Sequence, residues 1–251
     1  MIRDHLVKKN FRGEKGFRWR GGDVSRIEAL TDAVFAFSIT LLVVSLEVPG
    51  SFDQLVQTMQ GFLAFGITFA GIIGIWYAHY IYFRRYGLED GRVVILNSML
   101  LLVVIFYLYP LKFLANLLIN HGILHRMFGV NIAVNVGMLD HQWPTLMLIY
   151  SFGFLAIFLI FVLLYWHAYN QGEALNLNAV ESFATKSGIQ AYSIVVLIAA
   201  ISISISLIAP PDYLSLSGWI YFLVGPLMTI HGIYSGKKMQ QLEEAMTSAE
   251  K

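Results

Sequence analysis

Six long apolar runs constrain this chain more than any other feature of its sequence. A lipid hydrocarbon core about 30 Å thick is crossed by about 20 helical residues, and each run is long and apolar enough to cross it. The runs cover residues 26–48, 58–82, 92–115, 144–168, 188–209 and 214–235. Only 13% of the residues are charged, far below the share in soluble domains. We therefore expect an all-α, polytopic membrane protein with six transmembrane helices.

Two local patterns modify this prediction. Ser202, Ser204 and Ser206 alternate with isoleucine in the fifth run, a period that is typical of a β-strand. A lone strand would leave its backbone polar groups without partners in lipid, so the helix is favoured. In the sixth run, the adjacent Gly225 and Pro226 predict a kink.

The lysine and arginine residues indicate the orientation of the chain. The N-terminal region through Arg26 holds eight, residues 83–92 hold three, residues 170–187 hold one and the C-terminal tail holds three, against two on the opposite side. Because cytoplasmic loops carry the excess of these cations, both termini are predicted to be cytoplasmic.

The same pattern divides the chain into three parts. We expect a basic cytoplasmic tail over residues 1–25, a transmembrane domain over residues 26–236 and a cytoplasmic tail over residues 237–251. The cations of the first tail are predicted to set the topology and to contact anionic lipids. They include Lys8, Lys9, Arg12, Lys15, Arg18 and Arg20.

Several function classes are disfavoured by composition and motifs. The net charge of +1 argues against a nucleic-acid partner, and the absence of cysteine excludes disulfides and thiolate metal sites. No phosphate-binding glycine loop or nucleophile elbow occurs. His121, His125 and the pair Asp140-His141 fall in a connection over residues 116–143, where their spacing is a weak metal signal. We expect no enzyme, no catalytic residue, no cofactor and no metal site.

The first apolar run combines acidic residues with two distinct faces. Glu28 and Asp32 stand in an otherwise apolar helix, and intramembrane charge needs a partner. At about 100° per residue, Asp32 projects about 140° away from Phe37. Phe37, Leu41 and Val44 form one narrow face with Thr40 at its margin. On composition alone, this face is that of an ordinary lipid-facing or core helix.

A resemblance changes the interpretation of this helix. The segment Arg26-Ile-Glu-Ala-Leu-Thr-Asp32 resembles the Arg-x-x-x-Phe-Ser-Asp signature that opens the first helix of the transmembrane protein 175 potassium-channel family. Its bacterial members have six spans. Leu30 and Thr31 stand where the signature has phenylalanine and serine, and Phe37 stands where the family usually has a branched aliphatic residue.

The similarity continues along the first half of the chain. Trp76 and His79 in the second run, Asn97 in the third, and Pro110, predicted to end the third, match polar or punctuating positions of that family. From about residue 116 onward, the chain is similar to the family only in hydropathy. The resemblance therefore depends on residues 26–110.

The resemblance implies a homotetramer in a lipid bilayer, the inner (plasma) membrane of the cell, with the first helix of each subunit around a central pore. Apolar side-chain rings would form the constriction, a hydrophobic gate that passes monovalent cations with modest preference for K⁺ over Na⁺. Carried onto this chain, the pore residues would be Phe37, Thr40, Leu41 and Val44. The sequence contains no Thr-Val-Gly-Tyr-Gly loop, which excludes a filter of that type.

Two further features of the second and third runs concern helix packing. Gly66, Ala70, Gly74 and Ala78 form a small-residue stripe on which another helix can approach closely. The resemblance also implies a polar network that holds the pore helix against the second and third helices. Its members would be Arg26, Thr31, Asp32, Trp76, His79 and Asn97.

A proton pathway is the main alternative to a potassium pore. Asp32 and His79 are ionisable residues within apolar runs, and such residues can relay protons in a proton channel or a proton-coupled transporter. Transporters of the familiar type favour inverted repeats and paired broken helices, whereas this chain offers one Gly-Pro break. An intramembrane enzyme that uses the same pair is less favoured, because no nucleophile or metal-ligand set accompanies them.

Overall fold

The computed structural model of the protein describes residues 17–44, 48–117 and 142–249. All regular elements within these ranges are helical. Eight α-helices are α1 (Arg26–Val44), α2 (Phe52–Gln60), α3 (Phe62–Tyr86), α4 (Gly91–Leu117), α5 (Trp143–Asn170), α6 (Ala179–Ile208), α7 (Leu216–Trp219) and α8 (Val224–Ala249). Short 3₁₀ turns lie at Pro211–Tyr213 and Ile220–Leu223.

Six of these helical segments are long and apolar enough to cross a membrane, which confirms the predicted all-α, six-span architecture. They are α1, α3, α4, α5, α6 and the stretch Leu216–Met246. The fifth span begins well before residue 188, because Asn178 caps α6. Its side-chain oxygen accepts from the Glu181 N–H at 2.8 Å, and the Glu181 carboxylate accepts from the Asn178 N–H at 3.0 Å. This reciprocal capping box stabilises the additional turns.

Proline positions modify two spans in different ways. The prediction that the third span ends at Pro110 is wrong, because α4 continues through Pro110 to Leu117. Neighbouring helices stabilise such a proline within lipid, and α5 contacts α4 at this point through the Tyr150 hydroxyl, which donates to the Pro110 carbonyl. In the sixth span, Pro226 lies in the first turn of α8, where its missing N–H is tolerated. The break in the α-helical backbone of this span lies just before α8, in the 3₁₀ turn Ile220–Leu223.

The serines of α6 join three helices. Ser202 and Ser206 are buried and Ser204 is exposed, so the two-residue alternation follows a helix and not a strand. The Ser202 and Ser151 hydroxyl oxygens are 2.8 Å apart, and the Ser202 hydroxyl donates to the Ser217 carbonyl at 2.7 Å. These bonds tie α5 and α6 to the start of the sixth span.

The helices pack in an order that leaves α1 at one side of the subunit. Helices α5 and α6 form the most extensive pair, α4 packs on α5, and α8 packs on α6. The main contacts of α1 are with α4 and α3. An aromatic cluster fills the core between α3, α5 and α6. Its members are Tyr82, Tyr86, Phe161, Tyr165 and Tyr192.

Candidate functional site

Helix α1 begins with a capping box. The Ser25 hydroxyl accepts from the Glu28 N–H at 3.1 Å, and the Glu28 carboxylate accepts from the Ser25 N–H at 2.9 Å. Glu28 is buried, and its negative charge lies at the positive end of the helix dipole. The partner that the charge of Glu28 requires is thus the start of its own helix.

One face of α1 packs inside the subunit. Its buried residues follow one another at alternating spacings of three and four, which is the period of a helix face that packs on other helices. They are Glu28, Thr31, Phe35, Ser38 and Leu42. The Thr31 and Ser38 hydroxyls donate to the carbonyls four residues earlier in the helix, so these polar groups are satisfied where they are buried.

The opposite face of α1 is exposed on the surface of the chain. Phe37 is 57% exposed and Val44 is 72% exposed. Five of the exposed residues repeat at the same alternating spacing as the buried ones, displaced by two positions, and we call these five the α1 stripe; Asp32, Ala36 and Val43 beside it are also exposed. The stripe consists of Leu30, Ala33, Phe37, Thr40 and Val44.

Of the four predicted pore residues, three lie on the α1 stripe and one lies at its edge. Phe37, Thr40 and Val44 are exposed. Leu41 is half-buried and packs against the core of its own subunit. The stripe also contains Leu30 and Ala33, which the sequence analysis did not assign to this face.

The predicted polar network contains one hydrogen bond between α1 and α3. The Trp76 indole N–H donates to the Asp32 carboxylate at 2.8 Å. Asp32 itself is exposed on the subunit surface. Because a charge-assisted hydrogen bond is stronger than a neutral one, it holds the two helices in a defined register.

A second, fully buried bond joins α1 to α4. The Asn97 side-chain N–H donates to the Thr31 hydroxyl at 2.9 Å, and both residues are at most 1% exposed. His79 of α3 is 2% exposed and lies beside Asn97. Five of the six predicted network residues thus lie where α1, α3 and α4 meet. Arg26 is at the exposed start of α1, and no hydrogen bond joins it to the other five in the described ranges.

The segment before α1 forms a polar contact that the sequence analysis missed. Glu181 of α6 is 0% exposed, and its carboxylate lies 2.9 Å from the Arg18 guanidinium and 2.7 Å from that of Arg20. Its hydrogen bonds to Glu181 raise the pKa of Arg18 above the usual value, although burial opposes the shift. Two of the tail cations therefore pair with an acid of the same chain. The signal for this contact in the sequence was Glu181 itself, a lone acid at the start of an apolar helix that needs a partner.

A second missed contact lies in the connection between α3 and α4. The Asp90 carboxylate is 2.6 Å from the His167 ring of α5 and accepts from the backbone N–H groups of Arg92 and Val93. Burial raises the pKa of Asp90, but the hydrogen bonds from His167 and the two N–H groups outweigh it and hold the pKa below its ordinary value. Asp90 thus caps α4 and ties it to α5.

The small-residue stripe of α3 is covered only in part within the described residues, because Ala78 packs against the core while Ala70 and Gly74 lie on the surface. A Cβ atom added to Gly66 or Gly74 would meet no atom within 4 Å, and Ala70 and Gly74 are exposed. The glycines of the stripe therefore leave room for another helix to approach closely.

The described residues contain no group of three or more histidine, aspartate or glutamate side chains that could hold a metal ion. The weak metal signal noted in the sequence falls outside the described ranges. It involves His121, His125, Asp140 and His141.

Comparisons of the sequence with known proteins all lead to potassium channels. A family profile described as "Endosomal/lysosomal potassium channel TMEM175" matches residues 26–107. A potassium channel of Marivirga tractuosa is 42% identical over 231 residues, which cover 90% of this chain and 93% of the relative. A potassium channel of Chamaesiphon minutus is 35% identical over 106 residues, or 39% of this chain and 52% of the relative.

Two crystal structures share the fold. One is the potassium channel MtTMEM175, as a threonine-to-alanine variant bound to a nanobody–MBP fusion, with a TM-score of 0.78 and 40% identity over 88% of this chain and 97% of that one. The other is a lysosomal potassium-selective channel TMEM175 homolog from Chamaesiphon minutus, with a TM-score of 0.53. It is 25% identical, and the match covers 84% of this chain and 96% of that one. Since the Marivirga relative is 42% identical over 90% of this chain, the chain belongs to the TMEM175 family of potassium channels and is one of its bacterial members.

Proposed function

We propose that this protein is a K⁺-permeable cation channel in which the α1 helices of four subunits surround the pore. The α1 stripe is the observation that carries the proposal. It is an apolar face with one hydroxyl, it runs from Leu30 to Val44, and it lies opposite the face that packs inside the subunit. Four such faces around an axis would enclose a narrow pathway, and the potassium channels among its relatives support K⁺ as the permeant ion.

The chemistry of the stripe favours a hydrophobic constriction. Rings of Phe37 and Val44 would exclude water from an empty pore and so gate it by dewetting. K⁺ sheds water at lower cost than Na⁺, so apolar rings would prefer K⁺ modestly. Thr40 lies between them and supplies hydroxyls to partly dehydrated ions. Because Leu41 is half-buried, it would lie at the edge of the ion pathway and pack against the residues that form the rings.

We assign the polar contacts of α1 to positioning and not to conduction. The Asp32–Trp76 and Thr31–Asn97 bonds hold α1 against α3 and α4, with His79 buried beside them and Arg26 at the helix start. A pore helix must resist rotation about its own axis. Successive residues are about 100° apart around that axis, so a rotation of this size would turn the α1 stripe away from the pore and bring the adjacent residues to it.

The proposal extends to the assembly of the channel and its placement in the membrane. The partly exposed small-residue stripe of α3 supports close approach by a helix of an adjacent subunit, as a homotetramer requires. The cation distribution supports cytoplasmic termini. We assign residues 26–236 to the channel domain, residues 1–25 and 237–251 to cytoplasmic tails, and the protein to the inner (plasma) membrane.

The channel proposal is tested by reconstituting purified protein in planar bilayers with opposed K⁺ and Na⁺ gradients. Phe37→Ala widens the proposed constriction, so conductance should rise and the reversal potential should move toward the value for equal permeability. Phe106→Ala is the matched control, because Phe106 is 69% exposed on α4 and does not belong to the α1 stripe. If both variants conducted like the wild type, Phe37 would not line the pore.

A proton pathway is the competing assignment. His79 is a buried ionisable residue whose Nε2 has no hydrogen-bond partner in the described ranges, and it lies near Asp32. Currents that follow the pH gradient and disappear in His79→Gln would favour this assignment. Currents that reverse near the K⁺ equilibrium potential and persist in that variant would favour the K⁺ pore.

A further inference from the structure

Residues 17–22 form a short segment between the end of α3 and the start of α6, and we call it the anchor segment. Phe17 at its start is buried, and its ring packs edge-on against that of Tyr86 with the centroids 5.6 Å apart. The residues that follow make polar contacts to α6 on one side and to α3 on the other. The anchor segment is therefore built into the helix bundle.

The bonds of the anchor segment to α6 converge on one buried carboxylate. Arg18 binds Glu181 through two parallel bonds, from Nε to Oε1 at 3.0 Å and from Nη2 to Oε2 at 2.9 Å. The Arg18 backbone N–H also donates to Oε1 at 2.9 Å, and Arg20 Nη2 donates to Oε2 at 2.7 Å. Because a bidentate bond between a guanidinium and a carboxylate fixes the orientation of both groups, Glu181 determines where the anchor segment lies.

The bonds to α3 hold the anchor segment from the other side. The N–H groups of Arg20 and Gly21 donate to the Arg84 carbonyl at 3.0 and 3.1 Å. The Arg84 guanidinium in turn donates to the Gly22 carbonyl at 2.7 Å. A Cβ atom added to Gly21 would lie 2.5 Å from the Phe83 carbonyl oxygen. The backbone of the anchor segment thus lies directly against the end of α3.

Helix α1 follows the anchor segment almost at once. Asp23 and Val24 lie between it and Ser25, the N-cap residue of α1. Three extended residues span at most about 11 Å, so the first turn of α1 cannot move far from the anchor segment. The anchor segment therefore limits the position of the start of α1.

The position of this start affects the far end of the helix. The bonds of Thr31 and Asp32 hold α1 to α4 and α3 at one level along its axis. At about 1.5 Å per residue, this level is about 10 Å from Ser25 and about 19 Å from Val44. A tilt about this level that moved the start of α1 by about 1 Å would move Val44 by about 2 Å. A displacement at the anchor segment is thus enlarged along the α1 stripe.

We propose that Glu181 is a positioning residue of the channel. By binding Arg18 and Arg20, it fixes the start of α1, and through this helix it sets the width of the constriction at the α1 stripe. The inference rests on the proposed function, in which the α1 stripe lines the pore. It goes beyond a contribution to stability, because it assigns to a residue of α6 an effect on the passage of ions.

Two variants release α1 by different routes. Glu181→Gln keeps the shape of the side chain and removes the charge that binds Arg18 and Arg20. Insertion of two glycines between Asp23 and Val24 leaves the bonds of the anchor segment in place and lengthens its connection to α1 by about 7 Å. An effect common to both variants comes from the position of α1. If Glu181→Gln fails to fold, the insertion variant decides the test.

The first measurement records the position of α1 without ion flow. Spin labels are attached at Val44→Cys on α1 and Leu207→Cys on α6 of the full-length protein, which has no native cysteine, and the labelled protein is diluted with unlabelled protein in lipid. We expect the distribution of distances between these labels to broaden in both variants. The distribution between Tyr109→Cys on α4 and Leu207→Cys should stay unchanged. An unchanged Val44–Leu207 distribution in the insertion variant, or in folded Glu181→Gln, would overturn the inference.

The second measurement is the ratio of K⁺ to Na⁺ permeability, obtained from reversal potentials with K⁺ on one side of the bilayer and Na⁺ on the other. The ratio should fall toward one in both variants, because a loosely held constriction discriminates less between the two ions. It should keep the wild-type value in Glu173→Gln, which changes an exposed acid outside the anchor segment.

The two measurements separate this inference from the pore assignment. If Glu181→Gln lowered thermal stability while the insertion variant kept both the distances and the permeability ratio of the wild type, the role of Glu181 would be structural and the inference would be overturned. Broadened distances with an unaltered ratio would support the positioning of α1 by Glu181 and contradict the assignment of the α1 stripe to the pore.

Discussion

At the scale of single residues, the polar groups of α1 divide between the two sides of the helix. Thr31 and Ser38 are buried and satisfied, while Asp32 is exposed and held by Trp76. A carboxylate next to a proposed cation pathway would attract ions only if it faced that pathway. Its bond to the α3 indole directs Asp32 toward the neighbouring helix instead.

Trp76→Phe removes the donor to Asp32 and keeps most of the ring. We expect the free energy of unfolding to fall by about 1 kcal/mol. This value is low for a hydrogen bond to a charged group, because solvent weakens the bond of the exposed Asp32. Thermal unfolding in detergent measures the change. Trp219→Phe is the control, since Trp219 is 58% exposed on α7. Equal losses in both variants would remove any special role for the Asp32 bond.

Asp90 provides a pH prediction. Its pKa in the folded protein is held below the ordinary value of about 3.8, so the unfolded chain takes up this proton first as pH falls. The stability that Asp90 contributes is therefore complete above that value and is lost as pH falls through the lower, folded pKa.

The comparison of wild type with Asp90→Asn tests this sign. The difference in melting temperature should still be present at about pH 5 and should shrink below about pH 4. A difference that instead vanished between pH 7 and pH 6 would assign the effect to another titrating group.

At the scale of elements, the predicted and observed helices agree where long apolar runs decide the outcome. All six spans were predictable, since length and hydropathy alone identify them. The faces of α1 were predictable in part: helical periodicity separates Asp32 from Phe37, but it cannot decide that Leu41 is half-buried, because that depends on the helices that pack beside it.

The remaining differences between the predicted and the observed structure each have a physical cause. Helix α4 passes through Pro110, because the lipid environment and the packing of α5 outweigh the helix-breaking tendency of proline. The Arg18–Glu181 and Asp90–His167 contacts join residues that are far apart in the chain. No periodicity connects such pairs, so the sequence could indicate only that Glu181 needed some partner.

The segment before α1 should behave as an anchored element. Glu181→Gln removes the charge that binds Arg18 and Arg20, and we expect a loss of about 2 kcal/mol, less than for a fully buried pair because the Arg18 side chain is 62% exposed. Limited trypsin digestion at Arg18 and Arg20 should become faster. Glu173→Gln, an exposed acid in the connection before α6, should be cleaved like the wild type, and unchanged cleavage of both would contradict the anchoring.

At the scale of the whole molecule, the subunit has a closed side and an open side. Helices α5 and α6 form the interior with the aromatic cluster, whereas the α1 stripe and the Ala70 and Gly74 positions of α3 are exposed on the described part of the chain. The Thr40 hydroxyl on the α1 stripe donates to the Ala36 carbonyl of its own helix at 2.9 Å, so its oxygen can still face a cation. Such a face suits the shared axis of the proposed channel.

The central claim is that the α1 stripe lines the ion pathway, and cysteine accessibility tests it most directly because the chain has no native cysteine. Single cysteines are placed at Phe37, Thr40 and Val44 on the stripe and at Ser38 and Leu42 on the buried face, and K⁺ currents are recorded while a charged, water-soluble thiol reagent is applied. We predict rapid block at the three stripe positions and no block at the two buried ones. Block at Ser38 and Leu42 with none on the stripe would contradict the account.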